Sequence, residues 1–125
     1  MVDAINSHKY DFILVNLSNA DMIGHTGDLN AAIKAIKVVD ECVQKIVDAS
    51  LQNNADCLIT ADHGNAEEMI GKDGEIITSH TTNPVPVILC SKKYKTVKLQ
   101  PTGKLANIAP TILKLLNLPI PTYMD

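Results

Sequence analysis

Asp62 and His63 stand side by side at the end of the apolar run Leu58-Ile59-Thr60-Ala61, and Gly64 follows them directly. A carboxylate beside an imidazole offers a hard oxygen and a borderline nitrogen to a divalent cation. If such a pair is buried, it must be paired or metal-bound to offset its desolvation. Glycine at the next position lets the backbone turn sharply or approach a ligand closely. Asp21 and His25 are four residues apart, so on a helical turn they share one face. His80 lies in the polar run Ser79-His80-Thr81-Thr82. Each signal is weak alone. Asp-x3-His arises often by chance, a solvated Asp-His at a strand end is an ordinary turn, and a loop histidine is usually only polar. Their placement is more telling. Asp21, His25, Asp62 and His63 follow two strand-like runs, and His80 closes the loop that leaves the second. In open α/β sheets, sites collect at the carboxyl ends of parallel strands.

Five mixed oxygen and nitrogen donors are too many for one tetrahedral ion. They suit two divalent ions about 3.5–4 Å apart, a pair that can activate a nucleophile and steady a transferring phosphoryl group. A donor set without thiolate is compatible with manganese or zinc. Imidazole ligates only when neutral, so binding should weaken as pH falls below ~6.5.

The elements that must position these residues are readable in order. Met1–Tyr10 is a polar lead-in, with His8 solvated. Asp11–Asn16 is a short apolar run, the mark of a strand buried on both faces. Leu17–Gly27 is irregular. Thr26 or Asp28 can cap a long helix running to about Leu51. Leu29, Ala32, Ile33, Ile36, Val39, Val43, Ile46 and Val47 form its apolar stripe, expected to face the core. Asn53-Asn54 ends it, and Asp56–Ala61 is the second strand. Strand, helix, strand predicts a βαβ unit with parallel strands and a right-handed crossover. Asp62–Thr82 is a long excursion, with Asp73-Gly74 at the tip of a hairpin between Glu68–Ile70 and Ile76–Thr78. A loop of this length in a compact domain is more often functional than idle. Val85–Cys90 is a third buried strand opened by Pro84 and Pro86. Ser91–Lys104 is a solvated connection. Asn107 caps a final helix over Ile108–Leu116, with Pro110 in its first turn. The whole, residues 1–125, reads as one α/β piece.

Composition excludes several functions. The net charge is -3 and aromatic residues are 3 % of the chain, so nothing favours nucleic acid or an anionic membrane. No apolar run approaches the ~20 residues of a membrane helix, and Met1–Asp11 has no signal-peptide pattern. Cys42, Cys57 and Cys90 show no paired spacing, which argues for reduced, buried thiols in the cytoplasm and against a cysteine zinc site. All 11 basic residues are lysine. Arginine is the usual two-point grip for carboxylate or phosphate, so lysines or residues outside this chain must hold such a substrate. No G-x-S-x-G elbow, Walker loop or dinucleotide fingerprint is present, and Ser18 and Ser79 read as structural.

The same residues carry a family likeness. Asn16-Leu17-Ser18-Asn19-Ala20-Asp21-Met22-Ile23-Gly24-His25-Thr26-Gly27 closely resembles a signature of cofactor-independent phosphoglycerate mutase. Thr60-Ala61-Asp62-His63-Gly64-Asn65-Ala66-Glu67 is similar to a second, and Thr78-Ser79-His80-Thr81-Thr82-Asn83-Pro84-Val85-Pro86 to a third. Leu105-Ala106-Asn107-Ile108-Ala109-Pro110-Thr111 resembles the family's closing helix. Order and spacing agree from about Tyr10 to Met124. Ala20 and Ser79 depart from the residues common at those positions, and neither removes a ligand.

The resemblance implies an alkaline-phosphatase-superfamily fold, a three-layer, mostly parallel central sheet flanked by helices. It implies a two-manganese isomerase of glycolysis that interconverts 3-phosphoglycerate and 2-phosphoglycerate through a phosphoserine. Carried over, Asp21, His25 and His80 would hold one ion, and Asp62 and His63 part of the other. The family's nucleophilic serine, its N-terminal metal-binding aspartate and its arginine-bearing inserted domain have no counterpart here. The resemblance therefore implies a C-terminal piece with an incomplete sheet, inactive alone and prone to self-association through uncovered apolar surface. The rival readings are a phosphopentomutase, another phosphohydrolase of the same superfamily, or a non-catalytic metal-binding module.

Overall fold

The computed structural model describes residues 1–124. Helix α1 spans Val2–Asn6, α2 Asn19–Gly24 and α3 Leu29–Gln52; strands β1 (Cys57–Thr60) and β2 (Val87–Cys90) follow, then a 3-10 turn, Leu105–Asn107, that leads into α4, Ile108–Leu115.

The longest element, α3, begins where expected. Asp28 is extended, and its carboxylate accepts from the Ala31 amide at 2.9 Å, satisfying one orphan donor of the first turn. At the far end Asn54 turns left-handed (φ 56), a conformation asparagine tolerates, and stops the helix. The polar lead-in is more ordered than its composition suggests: α1 lies against α3, and the Asn53 side chain donates to Asn6 Oδ1 at 2.8 Å. Asn107 takes the N-cap position of α4 as expected, but without a side-chain cap bond. Its side chain accepts from the Lys104 amide at 2.7 Å and closes the 3-10 turn, leaving α4 without a side-chain cap.

The sheet differs from the expected βαβ unit. Asp11–Asn16 joins no ladder, and β1 pairs with β2 in antiparallel register, Cys57 opposite Cys90 and Thr60 opposite Val87. The excursion between the two strands explains the direction. It folds back so that the chain returns alongside β1, and the pairing continues past the strand ends as an isolated Gly64–Thr81 bridge. Within it the Asp73-Gly74 tip forms as anticipated, with Gly74 at φ +82, an Ile70–Ile76 bridge, and the Ile77 amide donating to the Met69 carbonyl at 2.9 Å.

Packing is thin. Among the described residues the buried apolar side chains are Ala32, Ala49, Met69 and Pro110. The stripe of α3 is covered only in part: Val39, Val43, Ile46 and Val47 are half-buried, whereas Leu29, Ile33 and Ile36 stay exposed, contrary to the core face expected of them. Leu14 is 81 % exposed and Phe12 51 %. The Asp11–Asn16 run therefore lacks both a ladder partner and a covering layer. The accessible surface is 9306 Å², against about 6,500 Å² for a compact monomer of 13.5 kDa. A cleft of about 540 Å³ is lined among others by Phe12, Leu14, Ile46, Leu58, Ile112 and Leu115.

Candidate metal centre

Three local devices bring the candidate ligands to one place. The first is α2. One helical turn puts Asp21 and the helix-ending His25 on a common face, and His25 Nε2 lies 3.2 Å from Asp21 Oδ1. The second is the Gly64–Thr81 bridge, in which the Thr81 amide donates to the Gly64 carbonyl at 2.9 Å. Each bridged residue directly follows a histidine, so the bridge sets His63 beside His80. Their rings stack with centroids 3.6 Å apart and planes 20° from parallel. The third is the Thr78 carbonyl, 2.6 Å from His25 Nδ1.

Asp21 is the hub. Its Oδ1 lies 3.2 Å from His25 Nε2, 3.1 Å from His80 Nε2 and 3.9 Å from His63 Nε2, and His80 Nε2 is 3.1 Å from His25 Nε2. Asp21, His63 and His80 also present donor atoms within 4.8 Å of one another. Asp62 stands at the margin. It is 82 % exposed, and its Oδ2 reaches only His63 Nε2, at 3.7 Å. Four of the five sequence-derived candidates thus converge on one point, and Asp62 borders it. His8 is exposed, as expected, and takes no part.

The donor spacing matches that around a single cation. Donors about 2.1 Å from one ion lie about 3.0–3.4 Å from each other at angles between octahedral and tetrahedral. The edges of the triangle formed by Asp21, His25 and His80 are 3.1–3.2 Å. Protonation points the same way. The Thr78 carbonyl can only accept, so His25 carries a proton on Nδ1; in the neutral form a ligand requires, its Nε2 lone pair would then face inward, as outer-shell carbonyls arrange for metal ligands. His63 repeats this more weakly, with Nδ1 3.3 Å from the Gly64 carbonyl. With both imidazoles neutral, inward lone pairs would face a carboxylate oxygen, an acceptor-to-acceptor contact that a divalent cation would relieve.

Two residues missed as site elements in the sequence hold this arrangement. Asn65, 5 % exposed, donates its side-chain amide to Asp21 Oδ1 at 3.3 Å. Its Oδ1 packs against Gly24, where a Cβ would collide with it. Glu67 is the latch between the segments that bear His63 and His80. Its carboxylate accepts from the Thr81 hydroxyl, from the Asn65 amide at 2.6 Å and from the Asn83 side chain at 3.0 Å. Gly64 leaves the room, since a Cβ there would meet both the Thr81 hydroxyl and the Glu67 carboxylate. The available signal was position. Both residues lie within four of His63, in the run that must return the chain towards His80.

The Thr81 hydroxyl, helped by the Asn83 and Asn65 donors, lowers the Glu67 pKa to about 2. A depressed carboxylate contributes stability that is complete above its unfolded pKa, ~4.3, and is lost as pH falls through the folded value. Glu67→Ala should therefore cost stability at neutral pH and much less near pH 2, where about half of the folded-state carboxylate is already protonated. The carboxylate is exposed, so screening holds the neutral-pH cost to about 1 kcal/mol. Urea titrations at pH 7 and in acid measure both; equal losses at the two pH values would exclude the latch.

Comparison with known proteins agrees with the geometry. The family model described as "Metalloenzyme superfamily" matches residues 1–120. The chain belongs to the metalloenzyme superfamily. That membership, together with the donor cluster, gives this α/β piece divalent metal ions as its cofactor class. The chain is 51 % identical over 125 residues to the 2,3-bisphosphoglycerate-independent phosphoglycerate mutase of Clostridium botulinum (strain ATCC 19397 / Type A), covering 99 % of this chain and 24 % of the relative. It is 52 % identical over 116 residues to the enzyme of the same name from Moorella thermoacetica, covering 93 % of this chain and 22 % of that one. Among solved structures, Leishmania mexicana phosphoglycerate mutase at low cobalt concentration superposes with a TM-score of 0.88 at 34 % identity, over 99 % of this chain and 26 % of that one. The chain thus spans about a quarter of the length of these relatives. Among the described residues, no helix is long and apolar enough to cross a membrane.

Proposed function

We propose that this chain supplies part of the two-metal centre of a cofactor-independent phosphoglycerate mutase. In this reading Asp21, His25 and His80 hold one ion, and Asp62 and His63 contribute to the second. The carrying observation is the Asp21 oxygen, shared among three imidazole nitrogens at 3.1–3.9 Å. The names of the relatives favour the mutase over a phosphopentomutase or another phosphohydrolase. The ions, manganese in this proposal, would lower the barrier by neutralising charge on a phosphoryl group passing between the 2- and 3-hydroxyls of glycerate.

This chain's own residues do the positioning. The Thr78 carbonyl fixes the His25 tautomer, Asn65 steadies Asp21, and the Glu67 latch keeps His63 and His80 in register. The proposal gives this chain neither the nucleophilic serine nor an arginine grip, so it expects no turnover from the chain alone. Coupled assay of 3-phosphoglycerate conversion with saturating manganese should read the buffer rate, while calorimetry of the same sample should show saturable manganese uptake. Turnover above background would overturn the division of labour, and no uptake at millimolar metal would overturn the metal assignment. The phosphoglycerates and a cytoplasmic location belong to the whole enzyme in this reading.

A further inference from the structure

The site occupies one end of the β1–β2 ribbon. At the other end Cys57 and Cys90 are direct cross-strand partners, both half-buried and both in the thiol form. Directly opposed residues in an antiparallel pair have their Cα atoms about 4.5 or 5.5 Å apart, depending on which kind of site they occupy. Either spacing falls within the 4.4–6.8 Å that a disulfide spans. Opposed side chains leave the sheet on the same face, so the two sulfurs point the same way. The third cysteine, Cys42, lies in mid-α3 and has no such partner in the ladder.

We propose that Cys57 and Cys90 form a cross-strand disulfide when a small-molecule disulfide such as oxidised glutathione is the oxidant. The Cys90 thiolate attacks one glutathione sulfur, giving a mixed disulfide and releasing one glutathione. The Cys57 thiolate then displaces the second glutathione, so two protein thiols are oxidised and one glutathione disulfide is reduced to two thiols. Burial, and then the neighbouring Cys90, raise the pKa of Cys57, which suits the second, intramolecular step, where proximity offsets a low thiolate fraction. The bond would clamp the ribbon end remote from Asp21, His63 and His80. It would close a long loop containing the whole excursion, constraining the unfolded chain and stabilising the fold. The ligand cluster lies beyond the Thr60–Val87 end, so metal uptake should not change.

Equilibrating the full chain with oxidised glutathione, followed by intact mass and peptide mapping, tests this without reference to any metal. The expected product is 2 Da lighter than the reduced chain, by loss of two hydrogens in one disulfide, with a Cys57–Cys90 cross-linked peptide and a melting midpoint several degrees higher. Cys42→Ser should give the same product. Cys57→Ser, with unchanged circular dichroism, should stop at a glutathione adduct on Cys90. Stable adducts on both cysteines, pairing through Cys42, or no reaction at either thiol would each overturn the proposal.

Discussion

Asp21→Ala should lower manganese affinity by at least about 100-fold, more than any other single ligand change. Loss of an outer-shell partner alone typically costs 10–100-fold, and Asp21 is the donor shared by both groupings of imidazoles. Removing its carboxylate also removes the only negative charge inside the triangle. What remains is His25 and His80, whose Nε2 atoms are 3.1 Å apart with nothing to neutralise a dication. Asp62→Ala is the matched comparison, because Asp62 is 82 % exposed and meets only His63. Its loss should weaken binding far less. Calorimetry on the two variants checks this, with circular dichroism confirming that Asn65, which donates to Asp21, has not unfolded the loop. Equal effects from the two substitutions would remove Asp21 from the hub.

The second large effect concerns the uncovered surface. The molecule exposes roughly 2,800 Å² more than a compact chain of its mass, and a stable interface buries about 1,200–2,000 Å². Phe12 and Leu14, which line the cleft, are among the exposed apolar side chains. The purified chain should therefore associate with itself at micromolar concentration. Phe12→Lys with Leu14→Lys should shift it towards monomer, since both positions are exposed and a charge on each opposes apolar contact. Sedimentation velocity reads the change. A native chain that runs as a single monomer would contradict this account of the surface.

The sequence disclosed local structure well and long-range structure poorly, for identifiable reasons. Asp28 at the start of α3, Asn53-Asn54 at its end and Gly74 at a hairpin tip were all legible, because capping and left-handed turns depend on residues a few positions apart. The convergence of Asp21, His25, His63 and His80 was legible because carboxylates and imidazoles at the ends of apolar runs are brought together at one edge of the fold. The direction of strand pairing was not. The run Asp11–Asn16 has strand composition, but composition does not say whether a neighbouring strand is present to receive it. The stripe of α3 shows the same limit: Leu29, Ile33 and Ile36 announce a surface to be covered without naming the cover. Glu67 and Asn65 escaped because their roles depend on Thr81 and Asp21, which reach them only after the excursion has folded back.

The proposed centre holds divalent cations close to the imidazoles of His25, His63 and His80, with Asp21 between them. Nitrogen-edited NMR of the imidazole rings during a manganese titration tests it most directly, because the chain carries four histidines and one of them, His8, takes no part in the cluster. The expected result is paramagnetic broadening of His25, His63 and His80 at substoichiometric metal while His8 stays sharp. Broadening of His8 in step with the other three, or no selective broadening of the three, would contradict the account.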